Sequence, residues 1–292
     1  MTYHAKILLD SMSKRGDRLT TFELSFPRFL LAEINTHKVL SRNAQSSRAI
    51  PVEKRIAAVE NDPFIPEAFS RNRPGMQADE ALEGDQAHAA EIEWRRAIDD
   101  AVRHARALAV LGVHKQHANR VLEPYAHVSC VLSGTHWSNF FALRTHPDAQ
   151  PEFQRLAVLM RRRYEESKPD LLDDGFWHLP YVDITGGVRK WHRANAQSEE
   201  MAYISAGRCA RVSRSTFDGL SSFPADLELI HRILGAGHVS PTEHPALAGV
   251  SQDHMSSAHC DGNGSFWSGN YRGWTQLRKT IANEDDYSRL VK

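Results

Sequence analysis

The chain has 292 residues, 41% apolar and 25% charged, a balance that supports an ordinary globular core and excludes a largely disordered polypeptide. Lys plus Arg and Asp plus Glu both number 36, so the formal net charge is zero and a dedicated nucleic-acid coat is not expected. No apolar run approaches the ~20 residues of a membrane span, and the N-terminus MTYHAKILLD lacks a signal-peptide layout, so a cytoplasmic protein without membrane contact is expected.

AKILLD, a polar SKRGDR turn, and the alternation of Phe22, Leu24 and Phe26 with Thr21, Glu23 and Ser25 predict two strands at the start of the chain. Pro27 suits the first turn of a helix over FLLAEIN. From that junction emerges Thr36–Ala49, THKVLSRNAQSSRA, which gathers His37, Lys38, Arg42 and Arg48 with serine and amide side chains. Hydroxyls, backbone N–H groups and a guanidinium are what holding a phosphate or pyrophosphate requires, and a solvated basic helix end is the plainer alternative. Residues 61–86, rich in Pro, Gly and acidic residues, read as a surface excursion. Trp94, Ala97, Ile98, Ala101, Ala105 and Leu108 then predict a long amphipathic helix running to about Leu111. His114 and His117 stand three apart, as metal ligands on one helix face do, but no third ligand is near in sequence.

His127–Thr135 reads as a strand and SNFFAL as a helix. Phe153, Leu156, Ala157 and Met160 mark another amphipathic helix, with Arg161–Arg163 on its solvated face. After a loop at Gly186 and Gly187, Ser198–Arg211 and Asp226–Leu234 give two more helices, the second stopped by Gly235 and Gly237. Cys130, Cys209 and Cys260 are few, odd in number and widely spaced, which argues against a disulfide framework or a cysteine zinc site, and Cys209 reads as a small buried side chain. The elements sum to an α+β fold with long helices against a mainly antiparallel sheet, in one domain over 1–292 with an unassigned tail at 250–292 containing GNYRGW.

Three stretches resemble the flavin-dependent thymidylate synthases, called the ThyX family. They are the THK to SSR segment; NRVLEPY with WSNFFALRTHPDAQPEF (Asn119–Tyr125, Trp137–Phe153); and RCARVS with LELIHRILGAGHVSPTEH (Arg208–Ser213, Leu227–His244). In the usual members the third of these comes first, so the resemblance implies a circularly permuted variant, an arrangement folds tolerate when the original termini lie close together. On this reading the strand entering His37 and the segment leaving His244 lie side by side.

The resemblance implies transfer of a one-carbon unit from methylenetetrahydrofolate to C5 of dUMP, with FAD reduced by NADPH, in a homotetramer whose sites draw on several subunits. Arg144 would bind and polarise the uracil ring, since attack from C5 needs the charge developing on the pyrimidine to be stabilised by a fixed guanidinium. Glu33, Ser46, Ser47, Arg48 and Arg120 would complete the nucleotide pocket. His37, Lys38, Asn139, Ser213, His238, Ser240 and Glu243 map to the flavin or folate side. Thr36, Lys38 and Thr135 stand where arginines are usual, and Ala44 where an acidic residue is common, which weakens the grip on the flavin pyrophosphate and leaves open a hydroxymethylase, a different uridylate, or a non-catalytic nucleotide binder. His238 and His244, with His254 or His259, also permit a zinc reading, but three placed ligands and a general base are needed and no metal is expected.

Overall fold

The computed structural model describes residues 3–75, 80–182, 196–212, 222–249, 258–262 and 265–286. It opens with β1 (His4–Ser13) and β2 (Arg18–Pro27), antiparallel about the turn at 14–17, with a register shift between Ile7 and Leu9. Pro27, having no N–H to give a ladder, ends β2 and leads into a 3-10 turn (Arg28–Leu30) and the short helix α1 (Leu31–Ile34). The predicted helix after Pro27 is therefore only about two turns, of mixed type. Within the basic segment that follows, two turns flank a strand: β3 (Ser41–Ala44) pairs with β4 (His127–Gly134), which in turn pairs with β2.

Between β3 and β4 run α2 (Val52–Asn61), the excursion predicted at 61–86, α3 (Gly84–Val110) and α4 (Lys115–Ala118). Phe64 anchors the excursion, receiving the Trp94 indole N–H on its carbonyl at 2.9 Å. The His114 ring accepts from the backbone N–H of Gln116 and so caps α4. After β4 come α5 (Ser138–Arg144) and α6 (Pro151–Glu166), the latter starting on a proline whose missing N–H is no loss there. Arg161 and Arg162 pair with Glu165 and Glu166 on its exposed face, as the sequence reading expects.

Strands β5 (Asp170–Leu172) and β6 (Trp177–His178) precede α7 (Ala196–Arg211) and α8 (Phe223–Gly235). Gly207 lets these helices touch, since a Cβ there would lie 2.5 Å from the Asp226 carbonyl oxygen. The carboxylate of Asp226, fully buried, binds Arg208 at 2.9 Å and Arg211 at 2.6 Å, so the arginines of RCAR fasten α7 to α8. A 3-10 turn (Ser240–Glu243) leads to β7 (Ala246–Ala248), β8 (Ala258–Cys260), β9 (Phe266–Ser268), β10 (Tyr271–Arg272) and β11 (Trp274–Gln276), and a last 3-10 turn covers Leu277–Thr280. Gly186, Gly187, Ser213 and His254 lie outside the described residues.

The central sheet has the order β3-β4-β2-β1-β5, antiparallel except for β1 with β5. Period-two alternation puts Phe22, Leu24, Phe26, Val128, Cys130 and Leu132 on one face, where they meet Phe140, Phe153, Leu156 and Met160 of α5 and α6. The other face offers Val131 to Cys209 of α7, and burial pushes the Cys209 thiol pKa upward, as befits a packed side chain. The fold is α+β as predicted, and no helix among the described residues is long and apolar enough to cross a membrane.

Candidate active site

Strand β3, at the sheet edge, is the anchor from which the site is built. The turn before it holds His37, the turn after it holds Ser46–Arg48, and its own Ser41 receives the C-terminal tail.

Arg144, the last residue of α5, crosses to the first turn. Its Nε donates to His37 Nε2 at 3.0 Å, its Nη1 to Glu33 Oε2 at 3.3 Å, and its Cζ lies 4.5 Å from the centre of the Phe153 ring. His37 is 8% exposed and edge-on to Phe140. Burial first, then the Arg144 and Arg42 charges, hold its pKa below the usual histidine value, so the ring is neutral at pH 7 and accepts at Nε2 with its proton on Nδ1. Arg42 wraps the same turn, donating to the Leu40 and His37 carbonyls. Glu33, mapped from sequence to the nucleotide side, and His37, mapped to the flavin side, thus meet on one guanidinium.

The second cluster surrounds the SSR turn. Ser47 Oγ donates to Glu123 Oε1 at 2.5 Å, Arg120 Nη1 donates to the same carboxylate at 3.0 and 3.1 Å, and Arg28 Nε lies 2.9 Å from it. Burial alone would raise the Glu123 pKa, but the Ser47 hydrogen bond and the Arg28 and Arg120 charges outweigh it and leave the carboxylate below its usual range. Asn119 Nδ2 donates to the Ser47 and Ile50 carbonyls, fixing both ends of the turn. Arg48 is exposed and Ser46 half-buried. One carboxylate faces Arg28 and Arg120, with Arg48 on the adjacent turn, so positive charge is in excess here.

The third cluster lies where the 3-10 turn at 240–243 packs on β3. Gln276, 1% exposed, donates from Nε2 to Ser41 Oγ at 3.2 Å and to the Glu243 carbonyl at 3.1 Å. Arg278 Nη1 binds the Glu243 carboxylate at 2.5 Å. His244 Nδ1 bonds Ser133 Oγ at 2.8 Å, Ser133 bonds Thr21 at 2.7 Å, and Thr21 bonds His178 Nε2 at 2.9 Å. The segment carrying His244 therefore reaches β4, the strand next to β2. Lys38, Asn139, His238 and Ser240 are exposed, and their side chains make no hydrogen bond or ion pair among the described residues.

Glu123, Arg28 and Gln276 are site residues that the sequence did not single out. Glu123 carried a usable signal, its i,i+3 spacing from Arg120 within NRVLEPY. A lone buried amide in an unassigned tail carried none. Among the described residues no group of three or more His, Cys, Asp or Glu is gathered as for a metal.

The family model described as thymidylate synthase complementing protein matches residues 19–170. Comparison with curated protein sequences gives no match. Among solved structures, the UMP/dUMP methylase PolB from Streptomyces cacaoi bound with 5-Br dUMP is similar over 51% of this chain and 67% of that one, at 20% identity and a TM-score of 0.43. The same protein bound with 5-Br UMP is similar over 56% of this chain and 89% of that one, at 16% identity and a TM-score of 0.47.

Proposed function

The chain belongs to the thymidylate synthase complementing protein family, and from that premise we propose that it transfers a one-carbon unit from methylenetetrahydrofolate to C5 of dUMP, with FAD as cofactor and NADPH as reductant. The observation that supports this most is the Arg144 cluster. Glu33 and neutral His37 fix two edges of the guanidinium and Phe153 one face, so its remaining N–H groups are preorganised to stabilise negative charge as it develops on a pyrimidine. A protonated His37 would oppose that charge arrangement and release Arg144 Nε, and burial keeps it neutral.

On this reading Ser46, Arg48 and Arg120 take the nucleotide phosphate, and Ser47, its hydroxyl proton given to Glu123, holds the turn in shape. Glu123 keeps Ser47 and Arg120 aimed at the turn, while Arg28 offsets its charge. Lys38, Asn139, His238 and Ser240 offer a cation, an amide, an imidazole and a hydroxyl, all exposed and without a hydrogen bond among the described residues, chemistry that suits a dinucleotide. FAD, when bound, supplies the redox chemistry that a methyl product requires. Glu243, held by Arg278, positions the turn that carries Ser240.

A hydroxymethyl product is the second reading. Thr36, Lys38 and Thr135 thin the cations expected near the flavin, and Thr135 Oγ1 is occupied by the Arg272 backbone N–H at 3.1 Å. Visible absorbance of the purified, FAD-supplemented protein tests the function: a bound flavin whose spectrum shifts on dUMP addition is expected, and failure to take up FAD rejects flavin-dependent methyl transfer.

A further inference from the structure

A cavity of about 400 Å³ opens between α2 and the start of β4. Its wall takes Gln45 and Ile50 from either side of the nucleotide turn but none of Ser46, Ser47 and Arg48. Ala58, Val59, Ala126 and Val128 make much of it apolar. Into this wall the sequence sets Arg55, 3% exposed. Its Nη1 donates to the His127 carbonyl at 3.1 Å, while Nε and Nη2 have no hydrogen-bond partner among the described residues.

A guanidinium stripped of water without a counter-ion is costly, and unlike an amine it does not escape by losing its proton near neutral pH. Burial, then the nearby Arg28, lower the Arg55 pKa to about 10, still leaving it charged at pH 7. Glu123 offsets this only in part and is already bound by Ser47, Arg28 and Arg120. Lys54 adds a second cation to the wall, and its side chain is exposed. His127 has its pKa pushed down to about 4 by burial and is neutral. Asp62, the one carboxylate among the residues lining the cavity, is not free, and no hydrogen bond joins it to Arg55 Nε or Nη2.

We propose that this cavity is an anion site separate from the nucleotide loop, taking a small ligand with one oxyanion head, phosphate or carboxylate, on an apolar body. The head answers Arg55 and Lys54; the body lies along Ile50, Ala58, Val59 and Val128. The site goes beyond the one-carbon chemistry and stands whether or not that reading holds.

Isothermal titration of the full chain, without flavin or folate, with phenyl phosphate, benzoate and inorganic phosphate tests it. Phenyl phosphate or benzoate is expected to bind saturably and more tightly than inorganic phosphate, and their order tells a phosphate head from a carboxylate one. Arg55→Met and Lys54→Ala should each weaken binding about tenfold or more, as loss of a charge-assisted hydrogen bond does, while Arg48→Ala and saturating dUMP leave it intact. If Arg55→Met does not fold, Lys54→Ala, at an exposed position, decides alone. The proposal is overturned by absent binding, by loss of binding in Arg48→Ala or on dUMP addition, or by folded Arg55→Met and Lys54→Ala proteins that bind like the parent.

Discussion

Arg144 is held by His37, Glu33 and the Phe153 ring at once, an arrangement that gives a single substitution two readable consequences. Arg144→Ala is expected to lower kcat by about 10²–10³, the loss typical of one preorganised donor, with only a modest loss of thermal stability, since the one core contact removed is that with the face of the Phe153 ring. It also deletes the charge that, after burial, depresses the His37 pKa, so that pKa should rise in the variant when followed by NMR of the imidazole C–H. Retained turnover with an unmoved His37 titration would contradict both roles. His244 makes a separate prediction. Burial holds its pKa at about 3 in the folded protein, against about 6.5 when unfolded. Between those values the unfolded chain binds the proton that the folded one refuses, so this contribution is complete above about pH 6.5 and is lost as the pH falls toward 3. Urea unfolding at pH 4.5 should show stability lower by about 2–3 kcal/mol from this group alone, and His244→Gln should flatten that part of the pH profile. An unchanged slope in the variant would place the acid sensitivity elsewhere.

At the scale of elements, the tail Asn270–Gln276 is the fastener of the site. Trp274 and Arg272 tie it to Asp17 in the β1–β2 turn, and Gln276 ties it to β3 and to the 3-10 turn at 240–243. Gly269 makes the turn into it, with φ +58° and a position where a Cβ would lie 1.8 Å from Gln276 Oε1. Gly269→Ala should therefore cost about 2 kcal/mol or more, from backbone strain and displacement of Gln276 together. Gly16→Ala, also at positive φ but facing open space, should cost about 1 kcal/mol. Equal costs in denaturant titration would remove the Gln276 clamp from the account. The elements legible in the sequence were those with one buried face: the alternation of Phe22, Leu24 and Phe26 in β2, and the helical spacing of Ile98, Ala101 and Ala105 in α3 and of Phe153, Leu156 and Met160 in α6. Strand β3 was not legible, because it is four residues long and its buried positions are Ser41 and Asn43, so no apolar alternation announces it. The same polarity hides the site partly. Charged and hydroxyl residues of the THK to SSR segment could be named from type and motif, but the meeting of Glu33 with His37 on Arg144 depends on where α5 ends in space.

At the scale of the whole molecule, the family resemblance and the long amphipathic helices lead us to propose a closed symmetric tetramer with sites shared between chains. The exposed Val110 and Leu111 at the end of α3 are in keeping with further association. If Arg48 and Arg144 of one working site come from different subunits, mixing inactive Arg48→Ala and Arg144→Ala proteins under exchange conditions should restore partial activity. A fully active monomer by light scattering would end the shared-site proposal. The rearranged motif order belongs to this scale too, since His244 and Gln276 reach β4 and β3 across more than a hundred residues of chain.

The central claim, one-carbon transfer to C5 of dUMP, is tested most directly by mass analysis of the nucleotide after incubating the FAD-loaded protein with dUMP, methylenetetrahydrofolate and NADPH. The account predicts a product heavier than dUMP by one methylene and dependent on Arg144; dUMP recovered unchanged from a folded, flavin-bound protein would contradict it.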